Sequence, residues 1–485
     1  MRWFLVVEII YIVVLILVCL RIVYDTRNYS KTLAYLLFAI FVPVIGILFY
    51  FSFGINYRKR KMYSKKLITD DKLATKIRSE LLQYFNNTLV EHKEEVSQNK
   101  ELALMLFNDI NSPLTSNNSV KLLVNGENKF PEVLEVLRSA KHHIHIEYYI
   151  YEDDEIGRSI EEILIEKVKE GVIVRFIYDD FGSRSVRKRM TKHLNAGGVQ
   201  AVPFSKVTFI YFANRLNYRN HRKIIVVDGS TAFVGGINVS DKYINSEKNN
   251  KQIYWRDTHL RIDGPGTFYL QYLFLSDWNF CANETLEPDR ILFPFFNDKE
   301  TREKKVIQIA ASGPDSDRPT IMLSMFQAIN LASKEILITT PYFIPGDSLI
   351  DALVTASLSG VSVKLLVPGI SDSHLVNFAA RSYYNTLLKA GVEIYLYTKG
   401  FVHAKTIATD RCVAIVGTAN MDQRSFELNF EVNAIVYDRE IAGQLSDIFY
   451  EDIKGAEKID GQKWNDRPWH IHLLEQTARM ISPML

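Results

Sequence analysis

A chain of 485 residues is long enough for two or three separate cores, and its 58 Lys and Arg against 56 Asp and Glu leave a net charge of only +2. So small an excess gives no support to a nucleic-acid partner, which would call for a basic surface. Cys19, Cys281 and Cys412 are scattered without metal-ligand or disulfide spacing, arguing against a zinc site and for a reducing compartment.

Two apolar runs come first. Residues 4–20 are interrupted only by Glu8, with Ile22 and Val23 beyond Arg21, and residues 32–53 carry no charge. The second is long enough to cross a bilayer and the first is marginal. A cleaved signal peptide fits poorly, because no small-x-small site follows and Tyr24-Asp25 stands where cleavage would fall. Arg58-Lys59-Arg60-Lys61, with Lys65 and Lys66, outweighs Arg21, Arg27 and Lys31 in the connecting loop. The expectation is a transmembrane hairpin over 1–56, with the amino terminus and the large remainder both cytoplasmic. The basic cluster either sets topology alone or also holds anionic headgroups.

Residues 57–117 are polar and helix-prone, and are expected to form a helical connector that carries the catalytic part away from the anchor. From Lys121 strands and helices alternate: strand 121–124, helix 131–140, strand 143–150, amphipathic helix 155–170 and buried strand 172–178. The order returns as strand 335–340, helix 348–358 and strand 361–367. Gly171-Val-Ile-Val-Arg-Phe-Ile lies over Gly360-Val-Ser-Val-Lys-Leu-Leu, and Leu194-Asn-Ala-Gly-Gly-Val over Leu388-Lys-Ala-Gly-Val. The fold class is therefore α/β: two duplicated mixed-sheet halves, 118–300 and 301–455, packed face to face with a site at their junction. In 456–485, Trp469, Leu473, Met480 and Met484 fall near helical spacing. This predicts an amphipathic helix lying either on the membrane or on the catalytic part.

The chemistry sits in a pattern held twice. His221-x-Lys223, Asp228, Gly235 and Asn238 recur as His403-x-Lys405, Asp410, Gly417 and Asn420 with the same spacing. On a strand a histidine and the lysine two residues later share a face. Two such strands brought together give one pocket two imidazoles, two ammonium groups and two amides, a site for a phosphodiester. Lysines and asparagines would hold phosphoryl oxygens, while one imidazole attacks phosphorus and the other protonates the leaving alcohol. Asp257 and Glu431 follow each motif on the next strand and are expected to hydrogen-bond the far nitrogens of the histidines. His142, His143 and His145 suggest a metal cluster only superficially: alternation puts His143 and His145 on one face, but no third ligand has the right spacing. No Gly-x4-Gly-Lys-Ser/Thr occurs, so nothing indicates ATP. The aromatic stretches 204–212 and 292–296 read as core, or as loops that dip into a lipid interface.

The doubled motif resembles that of the phospholipase D superfamily. Further stretches are similar to its bacterial cardiolipin synthases: Phe41-Val-Pro-Val-Ile-Gly46, Ile146-Glu-Tyr-Tyr149, Tyr254-Trp-Arg-Asp-Thr-His259, Thr340-Pro-Tyr-Phe343, Arg381-Ser-Tyr-Tyr384 and Asn420-Met-Asp-Gln-Arg-Ser-Phe426. The resemblance implies that two phosphatidylglycerol molecules yield cardiolipin and glycerol through a phosphatidyl-histidine, without cofactor or metal. His221 would be the nucleophile and His403 the acid, then the base. Lys223, Lys405, Asn238 and Asn420 would hold the phosphate, and Asp228 and Asp410 would orient strand and lysine. A hydrolase or a phosphatidylserine synthase with the same site is the alternative. A membrane-tethered nuclease is disfavoured by the charge, and a scaffold without activity by the intact motifs.

Overall fold

Ile224–Val227 reads Ile-Ile-Val-Val, β-branched throughout, and Thr406–Thr409 is its counterpart; both are buried strands that begin just after a motif lysine. Each turns back through left-handed residues, Asp228 and Gly229 in one case and Asp410 and Arg411 in the other, with φ between 51 and 62°. The return strands are Thr231–Gly235 and Val413–Gly417. The aspartate of the motif is thus the turn residue of a hairpin.

The computed structural model describes residues 2–26, 29–42, 44–53, 82–204, 218–245, 253–282, 284, 286–294 and 303–481. The basic run at 58–66, nearly all of the aromatic stretch 204–212 and the end of 292–296 lie outside the described residues. Each half builds one sheet in the same order. The first runs Thr115–Val124, Thr258–Asp263, Thr231–Gly235, Ile224–Val227, His143–Tyr148, Ile173–Tyr178 and Gln200–Pro203. The second runs Lys305–Ser312, Asn429–Tyr437, Val413–Gly417, Thr406–Thr409, Glu335–Thr339, Ser362–Pro368 and Glu393–Tyr397. Internal duplication is therefore a property of the whole topology.

The halves are joined in two ways. Their leading strands pair antiparallel, Thr115 opposite Ile307 and Asn118 opposite Lys305, so the two sheets form one hydrogen-bonded surface. Folded over, they also share a core in which Val226, Val234 and Leu260 meet Ile309, Val416 and Ala434. The face-to-face packing is present, and the edge pairing adds to it.

Two segments differ from the sequence expectation, and the tail takes one of the two positions expected for it. The second apolar run is not one helix but two, Tyr29–Phe41 and Ile45–Phe53. Pro43 supplies the reason, since it lacks an N–H and disfavours helical backbone at the residue before it. The stretch expected as a spacer is not one throughout: Phe85, Val96, Leu102 and Leu106 are buried against the core of the second half, and Gln308 Nε2 donates to the carbonyls of Ala103 and Ser112 at 3.1 and 2.9 Å. The tail adds a strand, Ala456–Lys458, to the edge strand Glu393–Tyr397, and then docks its helix Trp469–Ile481 on the catalytic body. Glu475, paired with Arg467 at 2.7 Å, and Ala478 are buried beneath it, whereas Trp469, Leu473 and Met480 point outward. One face meets protein and the other is apolar and open.

Candidate active site

Each motif histidine is seated by the opposite half. Arg219–Asn220 runs parallel to Asn429–Tyr437, and the His221 N–H donates to the Phe430 carbonyl at 3.0 Å. Correspondingly, Gly400–Val402 runs parallel to Tyr254–Arg256, and the His403 N–H donates to the Arg256 carbonyl at 2.7 Å. Strand alternation then places the carboxylate. His221 Nδ1 lies 2.9 Å from Glu431, and His403 Nδ1 lies 2.7 Å from Asp257. A buried carboxylate accepts, so Nδ1 carries the hydrogen and the lone pair of Nε2 is left for chemistry. Both rings border one cleft of about 380 Å³, with Asn238 and Asn420 in the same wall.

The lysines stand behind the rings and do not form the cleft wall. Lys223 Nζ donates to the His221 carbonyl at 2.8 Å, and Lys405 Nζ to the His403 carbonyl at 2.5 Å. Burial pushes Lys223 down to about 7, with Lys405 adding to the fall and Glu431 opposing it. Burial also takes Lys405 down to about 8 against the pull of Asp257 and Glu431. His221 is lowered, first by burial, and His403 falls to about 3 through burial and the neighbouring Lys405. Asp257 and Glu431 move the other way from most buried acids. Burial raises both, yet Lys405 and His403 bring Asp257 below its ordinary range, and His221 and Lys223 do the same for Glu431. The site is a dry setting in which two ammonium groups stand beside two ionised carboxylates, and an anion entering it favours the charged form of both lysines.

The two asparagines are not equivalent. Asn238 Nδ2 donates to the Tyr243 hydroxyl at 2.8 Å and its Oδ1 accepts from the Ile150 N–H at 3.2 Å. Asn420 Oδ1 is buried without a donor. Asp228 and Asp410, expected to orient strand and lysine, are not in the cleft. Asp228 accepts from the N–H groups of Lys141, His142 and His143 at 2.8–2.9 Å, and Asp410 from those of Ser333, Lys334 and Glu335 at 2.7–2.9 Å. They pin each histidine hairpin to the start of its neighbouring strand.

Aromatic walls complete the site and carried no role in the sequence reading. Tyr149 meets the His221 ring edge-on at 4.8 Å, and Trp255 lies 5.6 Å from the His403 ring. Alternation was the available signal for Trp255, which shares a face with Asp257 two residues on. Arg222, between histidine and lysine, faces the other way and pairs with buried Asp277. His143 and His145 are occupied by Gln271, whose amide lies 3.3 and 2.8 Å from their rings. Among the described residues no three His, Cys, Asp or Glu side chains form a metal-binding group.

Duplicated halves that exchange histidine–carboxylate pairs around one cleft define a phospholipase D type of protein. The comparisons place it further. A family model described as "Cardiolipin synthase, PLD-like domain" matches residues 133–260 and 325–453, and one described as "Phospholipase_D-nuclease N-terminal" matches 9–54. The chain is 40% identical to the cardiolipin synthase of Halalkalibacterium halodurans, over 95% of this chain and 90% of that one. It is also 40% identical to the major cardiolipin synthase ClsA of Bacillus subtilis, over 95% of each. Among solved structures, the phosphatidylserine synthase of Haemophilus influenzae superposes with a TM-score of 0.59, covering 80% of this chain and 99% of that one at 14% identity, a likeness of fold. The chain belongs to the cardiolipin synthase family of the phospholipase D superfamily, and is a phosphatidyltransferase associated with the membrane.

Proposed function

We propose that the enzyme joins two phosphatidylglycerol molecules into cardiolipin and releases glycerol. The observation that carries this reading is the crossed arrangement His221–Glu431 and His403–Asp257 around a single cleft. His221 Nε2 attacks phosphorus of the first lipid, the bond from phosphorus to the headgroup glycerol oxygen breaks, and His403 gives that oxygen its proton. His403 then takes the proton of a headgroup hydroxyl on the second lipid. The freed oxygen attacks the phosphatidyl-histidine, and His221 leaves.

The depressed affinity of His403 for a proton belongs to the empty site. Burial is its first cause and Lys405 its second, and a phosphodiester anion bound in the cleft offsets the part due to Lys405. Lys223 Nζ is held by the His221 carbonyl, and Lys405 Nζ by the His403 carbonyl with His403 Nδ1 at 2.9 Å; from behind the rings each ammonium group supplies charge to the phosphate and has a donor left to turn toward it. Asn238 and Asn420 add amide donors, and Asp257 and Glu431 stabilise each imidazolium as it forms. One phosphodiester replaces another, so neither a nucleotide nor a divalent ion is required by the chemistry. Asp228 and Asp410 act through the hairpins and not on the substrate. The positive residues after the apolar region support a cytoplasmic position for the catalytic halves.

Incubating the full-length enzyme in membranes with headgroup- and acyl-labelled phosphatidylglycerol tests the reading. Cardiolipin and glycerol in equal amounts are expected. Phosphatidic acid as the sole lipid product would replace transfer by hydrolysis.

A further inference from the structure

The family's apolar start reads in sequence as two crossings, but the geometry does not build two. Tyr29–Phe41 and Ile45–Phe53 lie side by side. The Phe38 ring meets Phe49 edge-on at 5.2 Å, and Tyr35 meets Tyr50 at 5.6 Å. A continuous helix would hold those pairs roughly 16 and 22 Å apart along its axis. Gly46 permits the approach, since a Cβ there would stand 2.2 Å from the Phe38 carbonyl oxygen. The second arm also comes back to the first helix, Arg2–Asp25. The Tyr50 hydroxyl is 3.4 Å from both the Arg21 carbonyl and the Asp25 carboxylate, at the end of that helix nearest the turn into the first arm.

Lengths agree with the contacts. At 1.5 Å per residue the first helix, of 24 residues, measures about 36 Å, whereas the arms of 13 and 9 residues measure about 20 and 14 Å. Only the first exceeds the hydrocarbon thickness of about 30 Å. Backbone at membrane depth must keep its hydrogen bonds, and three N–H groups among the described residues around the turn do. The Val42 N–H reaches the Phe38 carbonyl at 3.0 Å, Gly46 reaches Val42 at 2.8 Å, and Leu48 reaches Val44 at 2.8 Å.

We infer that the chain crosses the bilayer once, through Arg2–Asp25, and that 29–53 is a re-entrant wedge entering and leaving on one face. Trp3 and the catalytic halves are then on opposite sides of the membrane. Charge supports this independently. With two crossings, Arg21, Arg27 and Lys31 would face the compartment opposite Arg58-Lys59-Arg60-Lys61, Lys65 and Lys66. With a wedge, all of them belong to one side and only Arg2 is left on the other. The wedge partners a single leaflet, the one that faces the catalytic halves and supplies their lipid.

Single cysteines test the inference in the full-length enzyme, with Cys19, Cys281 and Cys412 changed to alanine and cardiolipin formation retained as proof of folding. Trp3→Cys and Tyr24→Cys both sit at exposed positions, one at each end of the first helix. Intact cells are treated with a membrane-impermeant maleimide and compared with lysed cells. Trp3→Cys should be labelled equally in both, and Tyr24→Cys at least tenfold more after lysis. The reverse pattern restores two crossings and overturns the wedge. Labelling of both or of neither in intact cells overturns the single crossing. Protease removal of a tag placed before Trp3 gives a second readout from outside, and a protected tag in an active enzyme also contradicts the inference.

Discussion

Glu431 and Asp257 do the same task with different neighbours. Glu431 also accepts from the Thr418 hydroxyl at 2.5 Å and from Asn429 Nδ2 at 3.2 Å. Asp257 has the Thr258 N–H at 2.7 Å and no hydroxyl, because position 236 is glycine and a Cβ there would stand 2.1 Å from its Oδ1. Glu431→Gln and Asp257→Asn keep the shape but invert the hydrogen-bond demand on Nδ1. Each should lower kcat about 10²- to 10⁴-fold with little change in KM, measured as phosphatidylglycerol turnover; unchanged kcat would remove the carboxylates from the mechanism. The lysines predict a pH effect of two signs. Their ammonium forms are lost as pH rises through about 7 and 8, so KM should climb across that range. Between about 7 and the ordinary lysine value of 10.5 the unfolded chain binds more protons than the empty native site, so this pair's contribution to stability grows with pH. Melting temperature and KM, followed together, should therefore rise together in this interval, and a KM that falls with pH would contradict the lysine account. The histidines, lysines and asparagines were legible because one spacing occurs twice, and Asp257 and Glu431 because each follows on the next strand. That the lysines sit behind the rings was not, since alternation gives a face but not how far a long side chain folds back on its own backbone.

Among the elements, the histidine hairpins explain why an aspartate belongs to the motif without touching the cleft. Asp228 holds a left-handed turn with φ 51° while its carboxylate gathers three backbone N–H groups. Asp228→Ala should destabilise the protein by about 2 kcal/mol, seen in denaturant titration, and leave kcat per folded molecule within about threefold. A loss as deep as that of a histidine variant would place this residue in the chemistry. Strand positions were readable from β-branched runs and alternation, but some of their limits were not. The first strand begins at Thr115, before the apolar signal at Lys121, because its start pairs with Lys305–Ser312, a partner far away in sequence. The broken second run had a visible cause in Pro43 and Gly46, but hydropathy alone sums over both.

At the scale of the whole molecule, duplication sets the architecture and the unduplicated pieces attach it to its surroundings. The segment around Leu102 is part of the second half's core and not a free tether. The tail helix leaves Trp469, Leu473 and Met480 exposed after docking. Neither outcome was decidable from amphipathicity, which records an apolar face but not what covers it. Two buried lysines provide the charge a metal would otherwise supply, so a chelator should leave turnover unchanged, and a loss restored by one particular metal would contradict this. The central claim, that a histidine from each half acts on one phosphorus atom, is tested most directly by denaturing the enzyme with acyl-labelled phosphatidylglycerol in cold neutral detergent, where a phosphorus–nitrogen bond survives, and locating the covalent lipid by mass spectrometry. The account predicts a phosphatidyl group on His221, none in His221→Ala, and no cardiolipin from either His221→Ala or His403→Ala. Full turnover by either variant, or an adduct on a residue outside the two motifs, would contradict it.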